Sequence, residues 1–92
     1  MKKENIVKLY LSNPSYYHNV VAMEELSECI KAISKIYRYG ATPKNICNLM
    51  EEMADVLICF ELLKLMYDIS DAELELMFIT KMKRNIERIG EE

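Results

Sequence analysis

Glycine and proline, the residues that most often interrupt helices and strands, occupy only two positions each in this 92-residue chain. Both prolines follow a residue type that commonly caps the N-terminus of a helix, and proline is well tolerated in the first helical turn. One glycine is placed to end a helix, and a Ser and a Glu three residues apart form a capping box. The four signals are Asn13-Pro14, Gly40, Thr42-Pro43, and Ser70 with Glu73. They predict a short helix over residues 3–11 and three long helices over 14–39, 43–69 and 71–89.

The amino-acid composition favours the same helical class. Apolar residues make up 51% of the chain, helix formers are abundant, and the turn residues of a many-stranded β fold are scarce. Short connections between long helices favour antiparallel neighbours. We therefore predict one all-α domain over residues 1–92, an antiparallel helical bundle of three long helices plus a short N-terminal helix. Because a chain this short buries only a modest core, we expect homo-oligomerisation to complete the bundle.

Charge, hydropathy and cysteine spacing exclude several classes of function. The chain has 12 Lys and Arg against 15 Asp and Glu, a net charge of −3, so we expect no nucleic-acid partner. No apolar run reaches the roughly 18 residues of a membrane span, so we expect no membrane partner, and the N-terminal apolar residues are too interrupted for a signal peptide. Cys29, Cys47 and Cys59 are odd in number and lack C-x-x-C spacing, which is typical of reduced, buried thiols. The predicted location is cytoplasmic.

Acidic residues lie on helix faces that the apolar pattern assigns to packing. The main apolar stripe of the second helix is Met23, Leu26, Ile30, Ile33 and Tyr37. Glu25 and Glu28 share a different sector, which also carries apolar residues. On the third helix, Glu52 and Asp55 share a sector with apolar side chains of a segment that is apolar nearly all round. A single buried acid is usually paired with a Lys or Arg from another helix, which is the simplest alternative.

Two such pairs of acids together indicate a metal site. Residues at i and i+3 lie on the same helix face, so two pairs on adjacent helices would bring four carboxylates together. Like charges this close repel and raise the pKa of each carboxyl group. A divalent cation relieves the repulsion, and Mg²⁺ prefers oxygen ligands and bridges carboxylates to substrate phosphates.

The acidic residues also carry a resemblance to a known family. Glu24-Glu25-Leu26-Ser27-Glu28 followed by Glu52-Met53-Ala54-Asp55 resembles the E-E-x-x-E and E-x-x-D motifs of the MazG-like, all-α nucleoside triphosphate pyrophosphatases. The resemblance covers residues 17–89. It implies hydrolysis of an NTP or dNTP to the monophosphate and pyrophosphate, with Mg²⁺ as cofactor and Mn²⁺ able to replace it. It also implies Glu25, Glu28, Glu52 and Asp55 as metal ligands, and Glu24 and Glu25 as catalytic residues that help to orient or deprotonate the attacking water.

The C-terminal half of the fourth helix is basic. Lys81, Asn85 and Arg88 lie on one helix face. Cations at a helix C-terminus interact favourably with the helix dipole without any ligand, so this face alone does not require a substrate. The resemblance implies that these three residues contact the triphosphate. It also suggests a nucleotide-facing role for His18, for which a surface or interhelical position is the alternative.

Two other functions compete with a general nucleotide pyrophosphatase. The first is a phosphoribosyl-ATP pyrophosphatase-like enzyme, although the expected glycine-rich and acidic signature near the N-terminus is missing. The second is a non-catalytic helical oligomerisation or interaction module, which the heavy apolar content favours. For all three functions we expect a homodimer or a dimer of dimers. The preferred base and sugar do not follow from the sequence.

Overall fold

The computed structural model describes residues 2–91, and within this range the chain is entirely helical outside its connections. The helices are α1 (Lys3–Leu11), α2 (Ser15–Tyr39), α3 (Pro43–Met66) and α4 (Asp71–Glu91). No described residue belongs to a β-strand. The prediction of an all-α fold with one short and three long helices is therefore confirmed.

A tight connection turns α2 back onto α3. Gly40 ends α2 with a φ of +100°, which favours glycine, and its amide donates to the carbonyl oxygen of Ile36 at 2.8 Å. Thr42 caps α3 by accepting a hydrogen bond from the amide of Asn45 at 3.2 Å. The Asn45 side chain closes the connection by donating to the Gly40 carbonyl oxygen at 3.0 Å. The predicted roles of Gly40 and Thr42 are thus confirmed.

The start of α2 differs from the prediction. Pro14 occupies the N-cap position with an extended backbone (φ −60°, ψ 153°), and no side chain caps the helix. Asn13, the predicted cap, instead donates from Nδ2 to Ser12 Oγ at 3.2 Å. The helix therefore begins at Ser15, one residue later than predicted.

The end of α3 also differs, because the helix stops at Met66 and not at residue 69. Asp68 has a φ of +54°, in the left-handed region, and the amide of Ile69 donates to the carbonyl oxygen of Lys64 at 2.9 Å. This hydrogen bond spans five residues, as in a Schellman motif. Asp tolerates the left-handed conformation better than most residues, although it is a weaker helix-stop signal than Gly.

The predicted capping box at the start of α4 is present. The Ser70 Oγ accepts from the Glu73 amide, and the Glu73 carboxylate accepts from the Ser70 amide, both at 3.1 Å. Lys64 adds an ion pair of 2.6 Å to Asp71. Together with the Schellman motif, these contacts form the junction between α3 and α4.

The small core lies between α2 and α3, with α1 packed against α3. Its buried residues are His18, Ala22, Ala32, Cys59 and Leu62. The Tyr67 hydroxyl group at the end of α3 donates to Asn19 Oδ1 near the start of α2 at 2.7 Å, as expected for antiparallel neighbours. None of the helices in the described part of the chain meets the length and hydropathy needed to span a membrane.

The α2 face that packs on α3 is not the predicted main apolar stripe. The five stripe residues between Met23 and Tyr37 are 37% to 91% exposed. A second stripe with the same alternating three- and four-residue spacing runs along the outside of α3 and is 42% to 59% exposed. It comprises Ile46, Met50, Met53, Leu57 and Phe60. We refer to the two sets as the α2 stripe and the α3 stripe. Their spacing is that of a helix-packing seam.

The fourth helix projects from the rest of the chain. Every side chain from residue 71 to 90 is exposed, and α4 makes no extensive contact with α2 or α3. The accessible surface of the chain is 7584 Å², whereas a compact monomer of this mass exposes about 5500 Å². Likewise, the radius of gyration is 16.2 Å, against about 12 Å for a compact domain of this length.

Asp68 provides a test of the α3–α4 junction. Asp68→Gly should raise the free energy of unfolding, because glycine has no Cβ to oppose a positive φ, whereas Asp68→Ala should lower it. The two variants should differ by about 1 kcal/mol in urea unfolding followed by circular dichroism. Equal stability of the two variants would contradict the left-handed assignment.

Candidate metal site

Three of the predicted acidic residues meet where α2 crosses α3. Glu25 comes from α2, and Glu52 and Asp55 come from one face of α3, three residues apart. One carboxylate oxygen from each residue lies within 4.8 Å of the other two. We call these three residues the acidic cluster.

The acidic cluster is partly removed from water. Glu25 and Glu52 are half-buried, and Asp55 is exposed. The Oε2 atom of Glu52 is buried and has no hydrogen-bond partner. Leaving a buried polar atom unpaired costs about 1–3 kcal/mol, and more for a charged group. A Glu52 carboxylate with one such oxygen is therefore favourable only if a cation or a proton compensates its charge.

Burial and neighbouring charges raise the pKa of Glu25. The largest cause is desolvation, followed by the negative charge of Asp55 and a hydrogen bond with its carboxyl group, and then by the charges of Glu52 and Glu28. Burial, together with the charges of Glu25 and Asp55, also raises the pKa of the nearby Cys59 thiol. A raised pKa favours the protonated thiol, which is consistent with Cys59 as a buried packing residue.

No Lys or Arg among the described side chains forms an ion pair with the cluster. The ion pairs in this part of the chain are Lys31–Glu28, Lys64–Glu61 and Lys64–Asp71. The simplest explanation for acids at a helix interface, pairing with a basic residue of another helix, therefore does not apply to these three carboxylates in the protomer.

The structure places Glu28 apart from the acidic cluster. Its carboxylate accepts a hydrogen bond from Lys31 Nζ at 3.1 Å, and its side chain is 51% exposed. Glu24 is also exposed on α2 and is not part of the cluster. Glu25, Glu52 and Asp55 are therefore the three predicted ligands whose carboxylates the fold brings together. The ligand roles of all four acids and the catalytic roles of Glu24 and Glu25 stay predictions.

His18 is buried at the start of α2. A carbonyl oxygen only accepts, so His18 Nε2 carries the proton that it donates to the Tyr10 carbonyl oxygen at 2.8 Å. The His18 ring stacks on Tyr10 with centroids 5.4 Å apart and meets the edge of Tyr17 at 5.5 Å. Packing alone therefore explains why His18 is buried. The contacts with Tyr10 of α1 favour a role in holding α1 against α2 over a role in contacting a nucleotide.

A cavity of about 170 Å³ connects His18 to the acidic cluster. Glu25 and Asp55 lie in its wall together with residues of α1 and of the α1–α2 connection, including Leu9, Ser12 and Asn13. Sequence reasoning did not select these last three residues, because their position beside the cluster arises only from the packing of α1 against α3. No motif marks such a tertiary contact.

The predicted phosphate-binding residues are not part of the acidic cluster or of the cavity beside it. Lys81, Asn85 and Arg88 are exposed on α4, and no α4 residue lines the cavity.

Comparison of the chain with known protein families, with curated proteins and with solved structures gave no match. The residues and geometry of the chain itself therefore carry the functional proposal.

Glu25→Gln should stabilise the protein when no metal is added. The folded pKa of Glu25 is raised above its ordinary value of 4.5, so the folded state binds this proton more tightly than the unfolded chain does. The stability of the wild-type protein should therefore fall as the pH rises from the pKa of Glu25 in the unfolded chain through its raised pKa in the folded state. The lost stability should return on acidification. Because solvent screens the cluster, we expect a gain of about 0.5 kcal/mol at pH 7, or roughly 3 °C in Tm.

Thermal unfolding in EDTA between pH 4 and pH 8 measures this effect. Glu51→Gln is the matched control, because Glu51 is an exposed acid beside Glu52 on the same helix and outside the cluster. The control should retain the wild-type pH dependence. If Glu25→Gln leaves the pH dependence of Tm as it is in the wild type, the carboxylates of the cluster do not destabilise the folded protein.

Proposed function

We propose that the protein is a Mg²⁺-dependent nucleoside triphosphate pyrophosphohydrolase of the MazG-like kind, acting as a homo-oligomer in the cytoplasm. The observation that carries the proposal is the acidic cluster. Two helices bring three carboxylates together there, and a buried oxygen of Glu52 has no hydrogen-bond partner. The E-E-x-x-E and E-x-x-D motifs that supply these residues support it from the sequence.

The donor set of the cluster fits Mg²⁺. All three groups are carboxylates, and Mg²⁺ prefers oxygen ligands and retains several waters beside one or two protein carboxylates. Glu25, Glu52 and Asp55 would hold the ion. Glu28 would join them by giving up Lys31, since an exposed i,i+3 ion pair is worth only about 0.2–0.5 kcal/mol. When bound, the ion neutralises phosphate oxygens and lowers the pKa of water.

Glu24 and Glu25 supply the proton chemistry of the proposed reaction. In the proposed reaction one of these two carboxylates accepts a proton from the attacking water, which a side chain placed within hydrogen-bond reach can do. Glu24, the exposed neighbour on α2, can orient that water or pass its proton to solvent. In the proposed reaction the water attacks the α-phosphorus, and pyrophosphate leaves.

In this proposal the basic residues of α4 bind the triphosphate of the substrate, including the pyrophosphate that leaves. Lys81 and Arg88 provide cationic donors for phosphate oxygens, and Asn85 lies between them on the same helix face. His18 lines the cavity whose wall also includes Glu25 and Asp55. The residues of this cavity would meet the nucleoside portion of the substrate.

A different observation favours the alternative of a non-catalytic helical module. The α2 and α3 stripes expose ten large apolar side chains at the spacing of a packing seam. A second copy of the chain, which presents the same two stripes, would bury them in a four-helix core. Such a homodimer, alone or paired into a dimer of dimers, is part of the enzymatic proposal too.

Pyrophosphate release from a panel of NTPs, dNTPs, modified nucleotides and phosphoribosyl-ATP tests the proposed reaction. Wild-type protein should release pyrophosphate with Mg²⁺ and not with EDTA. Asp55→Asn should lower kcat/KM by more than about 100-fold, beyond the usual cost of changing a group next to the ligands. The Glu51→Gln control should keep wild-type activity. A folded, Mg²⁺-binding protein that hydrolyses none of the panel would contradict the proposal, and hydrolysis of phosphoribosyl-ATP alone would favour the competing enzyme.

Light scattering of Ile30→Lys tests the proposed assembly. Ile30 lies in the middle of the α2 stripe and is 67% exposed. A charge there should lower the observed mass from a multiple of the 10.8 kDa chain toward the monomer, because burying an unpaired ammonium group at the interface is costly. Ser27→Lys, on the polar side of the same helix, should leave the mass unchanged. A monomeric wild-type protein at micromolar concentration would exclude the assembly.

A further inference from the structure

We infer that a cavity between α1 and the α3–α4 junction is a second binding site, which takes a small organic cation with an apolar body. The cavity has a volume of about 440 Å³. None of its lining residues belongs to the acidic cluster or to the cavity beside that cluster. The inference therefore does not depend on the proposed function.

The size of this cavity is that of a small-molecule site. Ligand pockets in proteins usually enclose about 300–1,000 Å³. The volume of about 440 Å³ lies inside that range, whereas the volume of about 170 Å³ beside the acidic cluster lies below it.

Hydrogen bonds hold the junction wall of the cavity in place. The amide of Ile69 donates to the carbonyl oxygen of Lys64 at 2.9 Å, and Ser70 and Glu73 form their reciprocal capping box at 3.1 Å. Ile69, Lys64 and Ser70 all line the cavity. This part of the site is therefore formed before a ligand binds, which lowers the entropic cost of binding.

Four aliphatic side chains supply apolar surface for the body of a ligand. Ile6 and Val7 come from α1, where they are half-buried. Leu65, near the end of α3, is 37% exposed, and Ile69, in the junction, is 41% exposed. A ligand that covers the exposed part of these side chains is favoured by the burial of apolar area.

The charged residues of the lining favour a cation over an anion. Three carboxylates, from Glu61, Asp68 and Asp71, lie opposite two ammonium groups, from Lys3 and Lys64, which leaves a net charge of −1. The Lys64 ammonium group is already shared, because it lies 2.6 Å from a carboxylate oxygen of Glu61 and 2.6 Å from one of Asp71. An anionic ligand would have to compete with these two carboxylates for it.

Asp68 is the group that a bound cation would meet. The ion pairs in the described part of the chain involve Lys31 and Lys64 but not Asp68, so its carboxylate is free to accept a hydrogen bond from a ligand. Asp68 also lies two residues beyond Met66, the last residue of α3. The negative end of the helix dipole favours a cation at this position.

Three matched six-carbon probes test the site. Hexylamine, hexanol and hexanoate share one apolar chain, and at pH 7 they carry a positive charge, no charge and a negative charge. In NMR titrations of isotopically labelled wild-type protein, hexylamine should cause saturable shifts in the signals of Ile6, Val7, Leu65 and Ile69, with a Kd on the order of 1 mM. Hexanoate should bind at least about tenfold more weakly, with hexanol between them. Equal affinities of the three probes, or no saturable shift with hexylamine, would overturn the inference.

Asp68→Asn distinguishes this site from a general attraction of cations to an acidic protein. Asn tolerates a positive φ as Asp does, so the variant should keep the junction, while the lost carboxylate should weaken hexylamine binding by about fivefold or more. Glu75→Gln is the matched control, because Glu75 is an exposed acid of α4 outside the cavity, and it should keep the wild-type affinity. Wild-type affinity in Asp68→Asn, or shifts centred on Glu25 and Asp55, would show that the assignment is wrong. Binding at this cavity by a protein that releases no pyrophosphate would refute the proposed function and support this site.

Discussion

The convergence of three carboxylates at the α2–α3 interface is the constraint on which the other properties of this protein depend. Glu25, Glu52 and Asp55 lie on faces that the two helices must pack together to form a core, and that core is small. Burial, and then the charges of Asp55 and Glu52, raise the pKa of Glu25, and a buried oxygen of Glu52 is left without a partner. A structural role would be served better by apolar residues at these positions, since buried charge is costly. In the proposed metal site, the charge of the cation would offset this cost.

Much of the fold follows from local signals. The capping hydrogen bonds of Gly40, Thr42, Ser70 and Glu73 reach partners that lie only three or four residues away in the sequence. The helix ends that depend on them could therefore be predicted. The end of α3 could not, because Asp68 adopts a positive φ that more commonly belongs to glycine. The predicted start of α2 was wrong by one residue. Asn13 hydrogen-bonds to Ser12 and does not cap the helix, and Pro14 occupies the cap position.

The part of the site that depends only on helix periodicity could be predicted. The part that depends on which helix face is buried in the tertiary structure could not. Glu52 and Asp55 share a face because they are three residues apart, and the inward face of α2 adds Glu25. Helix α2, however, carries two faces suited to packing, and the more apolar one proves to be exposed. Glu28 lies far enough around the helix to pair with Lys31. The exposed stripes and the projecting α4 are apolar and basic surfaces that packing within the chain leaves uncovered.

Paramagnetic broadening by Mn²⁺ tests the central claim, that the acidic cluster is a divalent-metal site, most directly. Substoichiometric Mn²⁺ added to isotopically labelled protein should broaden the amide signals of residues around Glu25, Glu52 and Asp55, and excess Mg²⁺ should reverse the effect. Signals near Glu61 and Asp71, a second pair of acids that is neutralised by Lys64, serve as an internal comparison and should stay sharp. Broadening spread evenly over all exposed acids, or centred on Glu61 and Asp71, would contradict the account.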